Sequence, residues 1–276
     1  MKWTRRKFIL SGMLTAFLLI VLDAFWLEKA FIELKEYSLG RKSRRKVGHL
    51  GKLKIMQISD LHLQSMNWQL RRLASKANEL KPDLLFITGD SIDNAANLGL
   101  LDEFLGLISP VIQKTAILGN WEYWSGTDLA ELKSLYKRHN CDLLVNETVQ
   151  YNVSDKTVSV SGIDDFLGGA ADINKTLHRY DKSDYHIVLN HCPEYSNDII
   201  AGFGSCPAPD LILSGHTHGG QINLFGFVPF KPQGSGRYLK GWYDLGITKM
   251  YVSKGVGTSI VPIRFGARAE VAVFDM

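Results

Sequence analysis

The sequence predicts an α/β domain with a mostly parallel or mixed sheet, standing behind one N-terminal apolar helix. Three observations predict it. Short apolar runs at residues 53–58, 83–88, 115–118, 185–189 and 210–213, each bounded by turn residues, read as buried strands. Segments of helical spacing lie between several of them, as in strands joined by crossovers. Each run also ends in a side chain able to bind a metal, and the carboxyl ends of strands are where open α/β sheets hold ligands.

The first element is Phe8–Leu27, twenty residues whose only charge is Asp23. As a helix rising 1.5 Å per residue it spans roughly 30 Å, the thickness of a bilayer core, with Phe25 and Trp26 suited to the interface. Thr4-Arg5-Arg6-Lys7-Phe8-Ile9-Leu10 resembles a twin-arginine export signal, and no small-residue cleavage site follows. Residues 1–27 are therefore expected to be a signal anchor in a bacterial inner membrane, passing once. Residues 28–51 are expected to be a basic juxtamembrane linker, because Arg41-Lys42-Ser43-Arg44-Arg45-Lys46 falls there. That run suits anionic lipid. It also opposes the export signal, since seven basic residues follow the span within 28–46 and four precede it. The balance leans slightly to export of the domain that follows.

Charge is distributed unevenly. Residues 1–46 hold 11 Lys/Arg and 4 Asp/Glu, whereas the remaining 230 residues hold 21 basic and 24 acidic side chains. The globular part is slightly acidic, so the composition argues against a nucleic-acid enzyme. Cys141, Cys192 and Cys206 are odd in number and lack CxxC spacing, which excludes a disulfide framework and a cysteine-rich zinc site.

Residues 52–276 are expected to form one domain. Leu53–Ile58 opens into Ser59-Asp60-Leu61-His62, with Asp and His at i and i+2. Asn67–Leu80 has helical spacing, with Leu70, Leu73, Ala74 and Ala77 on one face, and Pro82 stops it. Asp83–Thr88 ends in Gly89-Asp90. Thr115–Leu118 leads into Gly119-Asn120-Trp121-Glu122, and Asp128–Arg138 reads as a helix capped by Asp128. Leu143–Val145, Val149–Val153 and Thr157–Ile163 read as a hairpin region. Tyr185–Leu189 ends in Asn190-His191, and Asp210–Leu213 delivers Ser214-Gly215-His216-Thr217-His218-Gly219-Gly220-Gln221. Met250–Ser253 and Ala269–Phe274 are expected to close a second sheet.

Each of these polar residues alone is an ordinary loop side chain. Seven at successive strand ends (Asp60, His62, Asp90, Asn120, His191, His216 and His218) exceed what one ion needs and suit two first-row divalent ions sharing a carboxylate. Mixed nitrogen and oxygen donors point to Mn, Fe or Zn.

The order D-x-H, G-D, G-N-x-E, N-H, G-H-T-H resembles the calcineurin-like metallophosphoesterases over roughly residues 52–276. The extended S-G-H-T-H-G-G-Q, Val252-Ser253-Lys254-Gly255 and Arg264-Phe265-Gly266-Ala267-Arg268 resemble its membrane-anchored bacterial branch. The resemblance implies a four-layer α/β/β/α sandwich with two mixed central sheets. It implies Asp60, His62 and His218 on one metal, Asn120, His191 and His216 on the other, and Asp90 between them. A metal-bridging hydroxide would then attack phosphorus in line, with Asp90, Asn120 and His216 as the catalytic set. Glu122, Arg264 and Arg268 are expected near the substrate.

One departure bears on substrate. The family commonly has His after the Asn of this motif, and here Trp121 occupies that place. Indole donates a hydrogen bond but is no acid. Loss of a general acid costs about 10²–10⁴ in rate where the leaving oxygen needs a proton, and least where it leaves as a phosphate. Phosphodiester or pyrophosphate bonds of lipid-associated substrates are therefore expected, with Trp121, Tyr123 and Trp124 at an apolar mouth. Family members that cleave UDP-2,3-diacylglucosamine in lipid A synthesis also lack that His, so this pyrophosphatase activity is an alternative. A metal-bound scaffold of weak activity is another, opposed by retention of every ligand.

Overall fold

A computed structural model describes residues 4–28, 31–39, 53–204 and 206–276. The basic run 41–46 lies outside the described residues. Helix α1 (Arg5–Leu22) starts at Thr4, whose hydroxyl accepts from the Lys7 N–H, and continues as a π-helical turn over Asp23–Leu27. Its most apolar stretch has a mean hydropathy of 2.3, and its side chains face outward. Such a helix meets the length and composition of a membrane span.

Two six-stranded mixed sheets follow. β1 (Glu33–Ser38), β2 (Lys54–Ile58), β3 (Leu84–Thr88), β4 (Gln113–Ile117) and β5 (Cys141–Leu144) belong to the first. β6 (Glu147–Val153), β7 (Lys156–Gly162), β8 (Tyr185–Leu189), β9 (Leu211–Ser214), β10 (Gly241–Asp244) and β11 (Lys249–Val252) make the second. β12 (Glu270–Asp275) returns to the first, whose order is β1-β12-β2-β3-β4-β5; the second runs β10-β11-β9-β8-β7-β6.

The continuous apolar runs are explained by burial on both faces. Side chains alternate along a strand. Ile55, Leu84, Phe86, Ile187, Leu189, Leu211 and Leu213 therefore meet between the sheets, while Met56, Leu85 and Ile87 face out from the first and Val188 and Ile212 from the second. Helices α2 (Trp68–Leu80), α3 (Leu98–Gly106) and, after the short α4 (Asn120–Trp124), α5 (Leu129–Arg138) cover the first sheet. α6 (Ile173–Leu177) and α7 (Ser196–Gly202) cover the second. The result is the expected four-layer α/β/β/α sandwich. α2 buries Leu70, Leu73, Ala74 and Ala77 as its spacing predicts, with Asn67 accepting from the Leu70 N–H; Asp128 caps α5.

Four expectations need correction. The five site-bearing strands do not share one sheet: β2, β3 and β4 lie in the first and β8 and β9 in the second. The expected hairpin region divides, since β5 pairs with β4 while β6 and β7 pair with each other in the other sheet. β12 joins the first sheet between β1 and β2, not the second. Apolar period carries no information about which sheet a strand enters. Finally, the expected linker 28–51 is not linker throughout, because Glu33–Ser38 pairs in parallel with Glu270–Asp275 as an edge strand. Its charged sequence hid it, and charges suit an edge: Lys254 pairs with Glu33 at 3.4 Å and with Glu270 at 2.9 Å.

Candidate metal centre

The carboxyl ends of β2, β3 and β4 meet those of β8 and β9 where the two sheets face each other. Backbone bonds brace the turns: the Asp60 N–H donates to Gly89 O at 3.1 Å, the His62 N–H to Asp90 O at 3.0 Å, and the Gly215 N–H to His191 O at 3.1 Å. Close approach is needed here. A Cβ on Gly119 would collide with the Asp90 carboxylate, and one on Gly215 with Ser59 Oγ and the Asp60 carboxylate. Asp60, His62, Asp90, His216 and His218 all sit at positive φ, between 43° and 70°. Non-glycine residues occupy that region at a cost of order 1–3 kcal/mol, and such strain collects at functional sites.

The seven expected residues come together and are all buried. Asp60, His62 and His218 form one group and Asp90, His191 and His216 a second, the donor atoms of each lying within 4.8 Å of one another. His62 Nε2 faces His218 Nε2 at 3.0 Å, and His191 Nε2 faces His216 Nδ1 at 3.3 Å. Asp90 Oδ1 accepts from the Trp121 N–H at 2.9 Å, while Oδ2 lies 3.2 Å from His191 Nε2 and 3.6 Å from His62 Nε2. One carboxylate oxygen thus reaches both groups. Asn120 Oδ1 is buried without a hydrogen-bond partner. Buried acceptors are rarely left so, and a place for a bound cation is one reason for it.

The ring tautomers fit the same purpose. His191 Nδ1 donates to Thr88 O at 2.7 Å, His216 Nε2 donates to Gln233 O at 2.6 Å, and His62 Nδ1 donates to the Asp93 carboxylate. Each aims its other nitrogen into the centre, where loss of a proton would free it to hold a metal, the arrangement of metal-ligating histidines with oriented rings. Asp60 accepts from the His216 N–H at 2.8 Å and from Ser59 Oγ at 2.5 Å, which fixes its orientation. Nitrogen and oxygen donors in two facing sets fit two metal ions.

Burial opposes the charge on Asp90, but His191, His62 and His216 outweigh it and hold this carboxyl below the ordinary carboxylate range. Burial, reinforced by His62 and Arg264, holds His218 well below the usual histidine value and so neutral. Burial beside Asp90 pushes Glu122 up to about 7.

The other expected site residues divide. Trp121 lines a cavity of about 610 Å³ that reaches Asp90, Asn120 and His216, and Trp124, Phe230, Ile260 and Val261 form apolar walls. Its indole N–H donates to Ser259 Oγ at 3.2 Å. Tyr123 faces elsewhere, its hydroxyl donating to Asp164 at 2.6 Å. Glu122 does not face substrate: its carboxylate accepts from the N–H groups of Asp90, Ser91 and Gly119 at 3.0, 2.6 and 2.9 Å, fixing the turn that carries Asp90. Arg264 is fully buried and donates to Gly257 O and Ala267 O, with one nitrogen 3.1 Å from His218 Nδ1. It braces the loop and cannot meet a phosphate. Arg268 is exposed and outside the cavity wall. A motif shows that a residue is near the site, not which way it points.

Sequence reading missed Asp93 and left Gln221 without a role. Asp93 follows Asp90 by three residues, a weak signal in itself. Replacing it with Ala is expected to weaken metal binding about 10–100-fold, read by competition with a chelating dye, because His62 loses its orienting acceptor. Unchanged affinity would mean that packing alone holds the ring. Gln221 staples the loop over the cavity: its amide donates to Ser259 O at 3.0 Å and Val261 O at 2.9 Å and accepts from the Ser259 N–H at 2.9 Å.

The family model of the calcineurin-like phosphoesterases matches residues 53–220, which contain all seven residues of the centre. The chain belongs to this family. YkuE of Bacillus subtilis, called a metallophosphoesterase, is 32% identical and aligns over 100% of this chain and 98% of its own. A metallophosphoesterase of Aquifex aeolicus is 30% identical over 93% of this chain and 97% of its own. Among solved structures, the sulfate thiohydrolase SoxB of Thermus thermophilus superposes with a TM-score of 0.48 at 13% identity, covering 84% of this chain and 58% of that one. As a calcineurin-like phosphoesterase, the chain is a metal-dependent hydrolase of phosphate-containing substrates, with two Asp/His groups for the metal.

Proposed function

We propose that this calcineurin-like phosphoesterase uses two divalent ions to cleave a phosphodiester or pyrophosphate bond in a lipid-associated substrate, anchored by α1 in a bacterial cell membrane. Asp60, His62 and His218 would hold one ion, Asn120, His191 and His216 the other, and Asp90 would be shared. The single observation that carries this is Asp90 Oδ2, which lies within 3.6 Å of a nitrogen from each group. The donor set favours Mn, Fe or Zn. Two such ions supply Lewis acidity and a nucleophile at neutral pH. The chain's own residues do the rest. Glu122 and the Trp121 N–H orient Asp90, the carbonyls of Thr88 and Gln233 fix two imidazoles, and the apolar walls exclude water from the reacting phosphorus.

Among the described residues, the cavity wall carries no acidic or basic side chain beyond the groups of the centre. That supports substrates whose leaving group departs without a proton, and the apolar walls support an acyl or prenyl portion. The same two features favour the UDP-2,3-diacylglucosamine type of pyrophosphate as a specific substrate. A reporter fused after Met276 decides the side of the membrane, and a nucleotide-linked sugar requires the cytoplasmic one.

The test uses full-length protein in detergent, stripped with a chelator and reloaded with Mn²⁺. An activated aryl phosphodiester is expected to be hydrolysed only after reloading. Metal-loaded protein is also expected to melt about 5 °C or more above the stripped form, since a ligand that binds only the folded state at 100 times its Kd adds about 2.7 kcal/mol. Two bound ions with no turnover of any phosphodiester or pyrophosphate would favour the scaffold reading instead.

A further inference from the structure

Two loop tips beside the cavity display apolar side chains in conformations that cost energy. Phe225 is fully exposed, at 101%, with φ 54°, and Ile260 is 81% exposed with φ 62°. A β-branched residue in the left-handed region is a marked outlier, and among the described residues nothing buries it. Both tips are nevertheless firmly built. Leu224 and Phe227 exchange backbone bonds of 2.8 and 3.0 Å across the first, and Gln221 staples the second. Phe227 and Phe230 add exposed rings at 67% each. A scattered exposed apolar residue is unremarkable, but a cluster of them on two rigid tips marks an interaction surface.

The position of α1 identifies what covers it. The Ala24 carbonyl accepts from the Arg264 N–H at 3.0 Å, and the Glu28 carboxylate accepts from the N–H groups of Gly266 and Ala267 at 2.8 and 3.0 Å. The same loop is bonded to the first tip, Asn223 N–H to Phe265 O at 2.7 Å and Phe265 N–H to Gln221 O at 2.9 Å. If α1 spans a bilayer, exposed Trp26 marks its interface. Residues 24–28 then lie at the level of the headgroups and hold the 264–267 loop there, with the two tips next to it. Lys231, Lys240 and Arg268, all exposed, supply positive charge for anionic headgroups.

We propose that the 224–230 and 259–261 tips insert into the leaflet at the C-terminal end of α1, so that the metal cavity opens onto the lipid surface and takes its phosphate substrate from there. This rests on reading α1 as a membrane span.

Full-length protein is reconstituted in vesicles of phosphatidylethanolamine and phosphatidylglycerol, with Cys206→Ser to remove the accessible thiol. Phe225→Cys, Ile260→Cys and, as an exposed control just before the amino end of β4, opposite the strand end that carries the centre, Val111→Cys each receive a polarity-sensitive fluorophore. Nitroxide-labelled lipid is expected to quench positions 225 and 260 at least threefold more than position 111. Equal quenching at all three would overturn the proposal. In addition, Phe225→Ser/Phe227→Ser should hydrolyse a soluble aryl phosphodiester at the native rate but a vesicle-embedded lipid pyrophosphate at least tenfold more slowly. Equal loss on both substrates would mean that the tips act on the fold and not at the membrane. Tips quenched by lipid in a protein that turns over neither substrate would uphold the docking surface and remove the catalytic reading; a protein active on the soluble substrate with unquenched tips would do the reverse.

Discussion

Asp90→Asn is expected to lower turnover of an aryl phosphodiester by about 10²–10³-fold or more, the loss typical of removing one preorganised electrostatic contact at a reacting centre. The substitution keeps the shape of the side chain and an acceptor for the Trp121 N–H, which now bonds Asp90 Oδ1 at 2.9 Å. What it removes is the negative charge of a carboxylate that faces His191 and His62 together. Two cations held close together need such a charge between them, so metal content should fall from two ions per chain towards one. Elemental analysis and circular dichroism on the same sample separate this from misfolding. A variant that keeps two ions and native turnover would show that the groups hold their metals independently, and the shared role of Asp90 would be wrong.

The native protein is expected to show a steep dependence of rate on leaving-group acidity, and Trp121→His is expected to flatten it. Trp121 lines the cavity beside Asp90 and Asn120, at the position where the family commonly has His, and its indole N–H is already committed to Ser259 Oγ. An alkoxide must then leave unprotonated, at a cost of about 10²–10⁴ relative to an assisted reaction. A phosphate leaving from a pyrophosphate pays none of this. An imidazole at position 121 should raise hydrolysis of alkyl phosphodiesters by about tenfold or more while changing aryl and pyrophosphate substrates little. The measurement is a leaving-group series on both proteins. A shallow native series would show that another group supplies the proton, and pyrophosphate substrates would no longer be favoured over alkyl esters.

The centre itself was legible in one dimension because each of its residues sits at a chain reversal after an apolar run. Asp60, His62, Asp90, Asn120, His191, His216 and His218 are close in space because strand ends are, and strand ends are marked locally by glycine and by the loss of apolar period. Helix α2 and its buried face were legible for the same reason, as were the four layers once the motif order was compared with the family's.

Tertiary structure decided what local pattern cannot carry. Whether β12 enters the first or the second sheet depends on partners hundreds of residues apart in sequence, and Glu33–Ser38 is a strand only because Glu270–Asp275 offers it an edge. Direction was equally hidden. Glu122 and Arg264 lie in the motifs yet turn towards backbone groups, whereas Asp93, outside them, is the acceptor that orients His62. Residue types and spacing determine which chemistry a chain is able to assemble. Only the packed fold, which settles where every buried donor and acceptor finds its partner, decides which side chains face the metals and which hold the others in place.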